Sequence, residues 1–216
     1  MNVGTEHGDR AAFLAPARRG LARVAPLAGP APVPEARLAA PAASLLEGFV
    51  AAATAAGAEV VTTSGPTVPA EVLDRWLAEH SVARAVRSDA PEARAVAAAL
   101  AARGIAVAPA GPGHAAEATL GVTSASHLVA STGSLVLRSD VDGRLASLLA
   151  PVHLCVAPAA RLVATPGAVL RGLGDGDGPP PGLVLATGTS RTGDIEQLLT
   201  RKVHGPGTVL VCVTDA

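Results

Sequence analysis

The sequence predicts a three-layer α/β/α fold with a mostly parallel sheet and a hairpin in its second half. Three observations carry that expectation. From residue 42 onward, short apolar runs alternate with amphipathic segments of about ten residues, the pattern of βαβ units whose parallel sheet is covered on both faces. Hydrophobic residues make up 49% of the chain, yet it holds one Trp, two Phe and no Tyr, so Ala, Val and Leu must build a core suited to close helix-on-sheet packing. Finally, the apolar runs His127–Ala130 and Ser134–Leu137 are separated only by Ser131-Thr132-Gly133, too short a link for a parallel crossover.

Taken in order, residues 10 to 23 form a short helix with Phe13, Leu14, Leu21 and Val24 as its apolar positions, interrupted by Pro16 and Gly20. Prolines then recur from Pro26 to Pro41 without turn periodicity, which reads as an extended connector. The expected division is residues 1–41, helix and connector, and residues 42–216, a single α/β domain. Leu45, Leu46, Phe49 and Val50 place an apolar stripe on a helix ending near Gly57, and Ala58–Thr63 follows as a strand. Next come a helix over 69–79 with Trp76, a strand over 82–87, a helix over 91–102 and a strand over 104–108. Beyond the hairpin, which would make the sheet mixed in this half, a turn at Asp140–Gly143 precedes a helix over 144–149 and a strand over Val152–Val156. Leu162 and Val163 extend the hairpin region, Gly172 to Gly182 reads as a surface loop, and Gly182–Ala186 as a buried strand. A helix from Asp194 and a strand over Thr208–Val213 complete the pattern.

Composition excludes several classes of function. Lys plus Arg is 17 and Asp plus Glu 18, a net charge of −1 that leaves no electrostatic footprint for nucleic acid. The apolar stretches are broken well before the roughly 20 residues of a membrane span, and no secretory signal opens the chain, so a cytoplasmic location is expected. Cys155 and Cys212 fall in predicted strands with no CxxC spacing, so no iron–sulfur cluster or structural zinc is expected in this chain. The six histidines show no HxH or HExxH spacing, which argues against a metal site, and Ser134 and Ser190 lack a GxSxG elbow. No GxGxxG follows a strand, so a nicotinamide or flavin fingerprint is absent.

Chemistry is expected first at Ala186–Glu196, a hydroxyl-rich loop with two glycines between the strand ending at Ala186 and the helix from Asp194. Backbone N–H groups at Gly188, with side-chain donors from Thr189, Ser190, Arg191 and Thr192, suit a small anion, and Arg191 could grip a carboxylate by two parallel hydrogen bonds. Asp194 and Glu196 equally suit a plain βα connection with a capped helix start. In a parallel sheet the loops after the strands share one edge, and Thr62–Thr67 and Pro109–His114 are similarly small and polar, so a cleft at the strand C-terminal ends is expected. Thr132, Gly133 and Ser134 are further candidate ligand-binding residues, as is His204, which could instead cap the preceding helix. His153, mid-strand among apolar residues, reads as a buried imidazole; His127 and His114 remain ambiguous.

GVT at 121–123, STGSLVL at 131–137, LLAPVHLCV at 148–156, TSRTGDIE at 189–196 and VHGP at 203–206 occur in an order and spacing that resembles the lactate-utilisation (LUD) domain family, notably its protein C-like members. The resemblance implies a fold similar to the ribose-phosphate isomerase, glucosamine-phosphate deaminase and coenzyme A transferase group. It implies an accessory role in the oxidation of L-lactate to pyruvate, with no cofactor in this chain and iron–sulfur clusters in partner subunits. It fixes no catalytic residue. Ser131 stands where the family often has an acidic residue, Thr189 where it has proline and Gly193 where it has alanine, which makes the loop more flexible here. The alternative is a stand-alone enzyme acting on a sugar phosphate or coenzyme A ester, for which Glu117 or Glu196 would have to supply a nucleophilic carboxylate. A third possibility is a structural interaction module that uses residues 26–41 as an arm.

Overall fold

The computed structural model describes residues 10–21, 44–141, 144–173, 180–192, 200–201 and 205–215. The chain divides into two compact units, Met1–Arg37 and Leu38–Ala216. In the first, α1 (Arg10–Leu21) is one helix that runs through Pro16 and Gly20 without the expected interruption. The Pro26–Pro41 connector lies outside the described residues.

In the second unit the chain forms α2 (Leu45–Ala55), β1 (Glu59–Thr63), α3 (Ala70–His80), β2 (Arg84–Arg87), α4 (Pro91–Ala101), β3 (Ala106–Pro109), α5 (Pro112–Glu117) and β4 (Leu120–Thr123). It continues through β5 (His127–Val129), β6 (Ser134–Arg138), α6 (Arg144–Leu148), β7 (Val152–Pro158), β8 (Leu162–Val163), α7 (Pro166–Gly172) and β9 (Leu183–Thr187). Then come β10 (Arg191–Thr192), β11 (Thr200–Arg201) and β12 (Thr208–Thr214). Local chemistry sets the helix starts: the Ser44 hydroxyl accepts from the Glu47 N–H at 3.1 Å, Thr165 caps α7, and Pro91 and Pro166 occupy first-turn positions where no N–H is needed.

Six strands form one wholly parallel sheet in the order β1-β12-β7-β4-β2-β3. Alternation along its strands supplies two cores. Leu120, Val122, Leu154, Val156, Leu210 and Cys212 pack against Leu73 and Trp76 of α3 and Val96 and Leu100 of α4. On the opposite face Cys155, Ala157, Val209, Val211 and Val213 meet Phe49 and Ala53 of α2 and Leu128, Leu135 and Leu137 of the hairpin. At Gly121 an added Cβ would lie 1.6 Å from the Ala146 carbonyl oxygen, so the missing side chain is what lets α6 rest on β4.

The hairpin corrects one expectation. It does not mix the main sheet but leaves it, forming a second sheet β8-β5-β6-β9 that lies over the first, with Val129 and Val136 packed on Val169 of α7 beyond. β9 is likewise not a buried strand of the parallel sheet. It is an edge strand antiparallel to β6, and Val184 and Leu185 are each 37% exposed. The segment expected as a loop at 109–114 contains the start of α5, and α7 occupies ground with no predicted element.

Trp76 is buried, and its indole N–H donates to Glu59 Oε1 at 2.6 Å, while Arg75 pairs with the same carboxylate. Glu59→Ala strands that donor, so a loss of about 1–2 kcal/mol is expected. Urea titration followed by the fluorescence of the chain's one tryptophan checks it; an unchanged midpoint would show the bond to be immaterial.

Candidate functional site

The predicted loop does not sit where the cleft was expected. Gly188, Thr189 and Ser190 line a cavity of about 460 Å³ together with Ala56, His153, Gly205 and Val209. His153 and Val209 lie at the starts of β7 and β12, and Ala56 lies just before β1, so this cavity opens at the amino-terminal edge of the parallel sheet. The reason is chain direction: antiparallel pairing with β6 sends β9 back toward the strand starts. The three loops read as one cleft are therefore on different edges.

Within that region the structure does bring predicted residues together. Thr132 Oγ1 lies 2.6 Å from Ser134 Oγ, which lies 2.7 Å from Thr187 Oγ1, so the two motifs share a row of hydroxyls. Gly133 and Gly188 have φ of 65° and 62°, and each is pressed on α2, where a Cβ would fall 2.2 Å from Ala53 N or 2.0 Å from Ala56 O. Ser190 donates its N–H to Pro206 O at 2.9 Å. Thr189 Oγ1 is buried without a partner. Arg191 and Thr192, expected in the loop, pair with Arg201 and Thr200 as a two-residue antiparallel ladder. Asp194, Glu196 and His204, and the helix expected from Asp194, lie outside the described residues. His153 is buried as expected, with Nε2 2.8 Å from Thr123 Oγ1, and burial pushes it down to about 4, leaving a neutral imidazole.

A second crevice, of about 380 Å³, lies at the other edge. From β2 the chain moves outward to β3, then crosses back to β4 on β2's other side, so the strand order reverses between β2 and β4. Carboxyl ends at such a reversal are where open α/β sheets hold ligands. This crevice is lined by Glu92 after β2, Ser124 and His127 after β4, Arg161 after β7, and Arg138 at the end of β6. The Arg161 Nη1 donates to Ser124 Oγ and the Ala125 carbonyl, both at 2.8 Å, and Nη2 donates to Glu92 Oε1 at 2.5 Å. Arg138 pairs with Asp140 at 2.7 Å. His127 is held below the ordinary histidine range, first by burial and then by the Arg161 and Arg138 charges. Nδ1 of His127, Oε2 of Glu92 and Oγ of the nearby Ser88 are buried polar atoms without partners.

Of this second site only the ambiguous His127 was flagged in the sequence. The signal available was the pair of small polar turns Ser88-Asp89, directly after the strand expected over 82–87, and Ser124-Ala125-Ser126, directly after β4, a strand the sequence reading did not include. Glu117, considered as a nucleophile, instead forms an exposed ion pair with Arg84.

Residues 46–214 match the family model of the LUD domain. The chain belongs to the LUD domain family. This LUD domain chain is 34% identical over 95 residues to Lactate utilization protein C of Bacillus licheniformis, across 42% of this chain and 40% of that protein. It is likewise 34% identical over 95 residues to the protein of the same name from Halalkalibacterium halodurans, across 42% and 41%. The chain thus aligns with about two-fifths of the length of these curated relatives. A crystal structure of a DUF162 family protein from Deinococcus radiodurans superposes with a TM-score of 0.55 at 21% identity, across 79% of this chain and 96% of that one, so the LUD fold is shared. Among the described residues no helix is long and apolar enough to cross a membrane, and no three His, Cys, Asp or Glu side chains cluster as metal ligands.

Proposed function

We propose that this LUD domain chain is an accessory subunit of a bacterial lactate-utilisation system, working with iron–sulfur partner subunits in the oxidation of L-lactate to pyruvate and binding a small anionic ligand. The likeness to two proteins named Lactate utilization protein C carries the reading. The geometry that supports it best is the carboxyl-edge crevice, where two guanidiniums face a neutral imidazole and so suit a small carboxylate. Placing the clusters in partners agrees with the state of the two cysteines. Cys155 and Cys212 are buried on opposite faces of the main sheet, and burial pushes the Cys212 thiol up to about 11.

Anaerobic affinity purification from the native host tests the reading. Iron–sulfur absorption and redox subunits that co-purify with the chain are the expected result, together with loss of lactate oxidation on deletion. A colourless, partnerless protein whose deletion leaves lactate oxidation unchanged would overturn it, and turnover of a sugar phosphate or coenzyme A ester by the isolated chain would replace it.

A further inference from the structure

We infer that the crevice between the carboxyl ends of β2 and β4 recognises a short carboxylate bearing an oxygen on its second carbon, a 2-hydroxy or 2-oxo acid, with Arg161 holding the carboxylate and His127 the adjacent oxygen. The inference rests on the lactate reading for the choice of acid, but the site itself is drawn from the geometry.

A guanidinium carries five N–H donors. Ser124 Oγ, Ala125 O and Glu92 Oε1 take one each, two on Nη1 and one on Nη2, which leaves the second Nη2 hydrogen and the Nε hydrogen for a ligand. With Glu92 on the Nη2 hydrogen nearer Nη1, the two free donors form the Nε/Nη2 edge of the planar group, the arrangement that meets both oxygens of a carboxylate. Glu92 is a positioning residue: its side chain is 15% exposed and, with the loop after β4, fixes the plane of the Arg161 fork. Nδ1 of His127 is buried with no acceptor, so a proton there would be an unsatisfied donor, and the neutral ring carries its proton on Nε2 instead. Since His127 lines the crevice and Nδ1 is buried, Nε2 is the nitrogen that meets a ligand, as a donor to a hydroxyl or keto oxygen. Arg138, held by Asp140, lies on the same wall with its charge offset by that carboxylate, so Arg161 is the residue that grips the acid. Glu92 Oε2, buried without a partner, is an acceptor available to the hydroxyl of a 2-hydroxy acid and not to its carboxylate.

The test is calorimetric titration of the full chain with sodium L-lactate and sodium pyruvate, with acetate and inorganic phosphate as comparison ligands. Both three-carbon acids are expected to bind more tightly than acetate or phosphate. Arg161→Lys keeps a cation opposite Glu92 but removes the fork, and should weaken both acids about tenfold or more. His127→Phe should weaken lactate and pyruvate while sparing acetate, so that their advantage over acetate shrinks toward one. Circular dichroism confirms that each variant is folded.

No binding of either acid to the intact chain overturns the site. So does binding that is unaffected by both variants, or lost instead on Arg191→Ala, even with the lactate reading intact. Phosphate binding tighter than either acid overturns the carboxylate assignment. Conversely, binding that follows Arg161 and His127 in a chain with no iron–sulfur partners upholds the site and removes the lactate-oxidation reading alone.

Discussion

Gly133→Ala is expected to lower stability by about 2–5 kcal/mol, the sum of a left-handed backbone penalty of about 1–2 kcal/mol and an overpacking cost of about 1–3 kcal/mol. The backbone there has a φ of 65°, and the new methyl would sit 2.2 Å from Ala53 N in the last turn of α2, a helix that cannot retreat without uncovering Phe49. Ser131→Ala, at the exposed neighbouring position, should change stability by no more than about 0.5 kcal/mol. Urea midpoints of the two variants check the pair. Equal midpoints would mean that α2 is not seated on Gly133. The outcome bears on function, because Thr132-Gly133-Ser134 then counts chiefly as the socket for a helix.

Acidification should cost about 3 kcal/mol between pH 6.5 and pH 4 through His153 alone. Its folded value of about 4 lies below the ordinary 6.5, a difference worth about 1.4 kcal/mol per pH unit. The sign follows from which state takes the proton. Between those pH values the unfolded chain binds a proton at His153 and the folded chain does not, so stability is full above pH 6.5 and falls as pH drops, levelling once the folded imidazole also protonates. His127, also lowered, pulls in the same direction, so the difference between wild type and His153→Asn isolates the buried residue. Asp74, Asp89 and Asp140, lowered first by their arginine hydrogen bonds, withdraw their contributions only as pH falls below 3.8. The difference in denaturant midpoint between wild type and His153→Asn from pH 4.5 to 7 therefore reports His153. Equal slopes for wild type and His153→Asn would show that the ring is not buried neutral.

The parallel half of the fold was legible because its signals are local. Leu73, Trp76 and Leu77 recur at helical spacing, and Ala85, Val86, Leu154 and Val156 fall in short apolar runs that only a sheet core accommodates. The hairpin was legible from a three-residue separation. What was not legible depends on partners distant in the chain. Leu183–Ala186 has the composition of a buried strand, and nothing within it says that β6 will claim it at a sheet edge. Gly133 and Gly188 carry the residue type an anion cradle needs, but the same absence of a side chain serves two contacts on one helix. Arg161 had no motif to announce it, since its place depends on β7 lying beside β4, and thus on a strand order no short stretch encodes.

That strand order has a consequence for assembly. β1 has β12 as its neighbour in the sheet, so Glu59 to Thr63 waits for Leu210 to Thr214 before its main-chain groups are paired, and β7 keeps an open edge until the same moment. Closing so long a loop is slow. A chain cut before Thr208 would therefore present a slot flanked by two parallel strands, open to donor-strand complementation by a synthetic peptide of sequence TVLVCVT and, without it, a template for pairing between molecules.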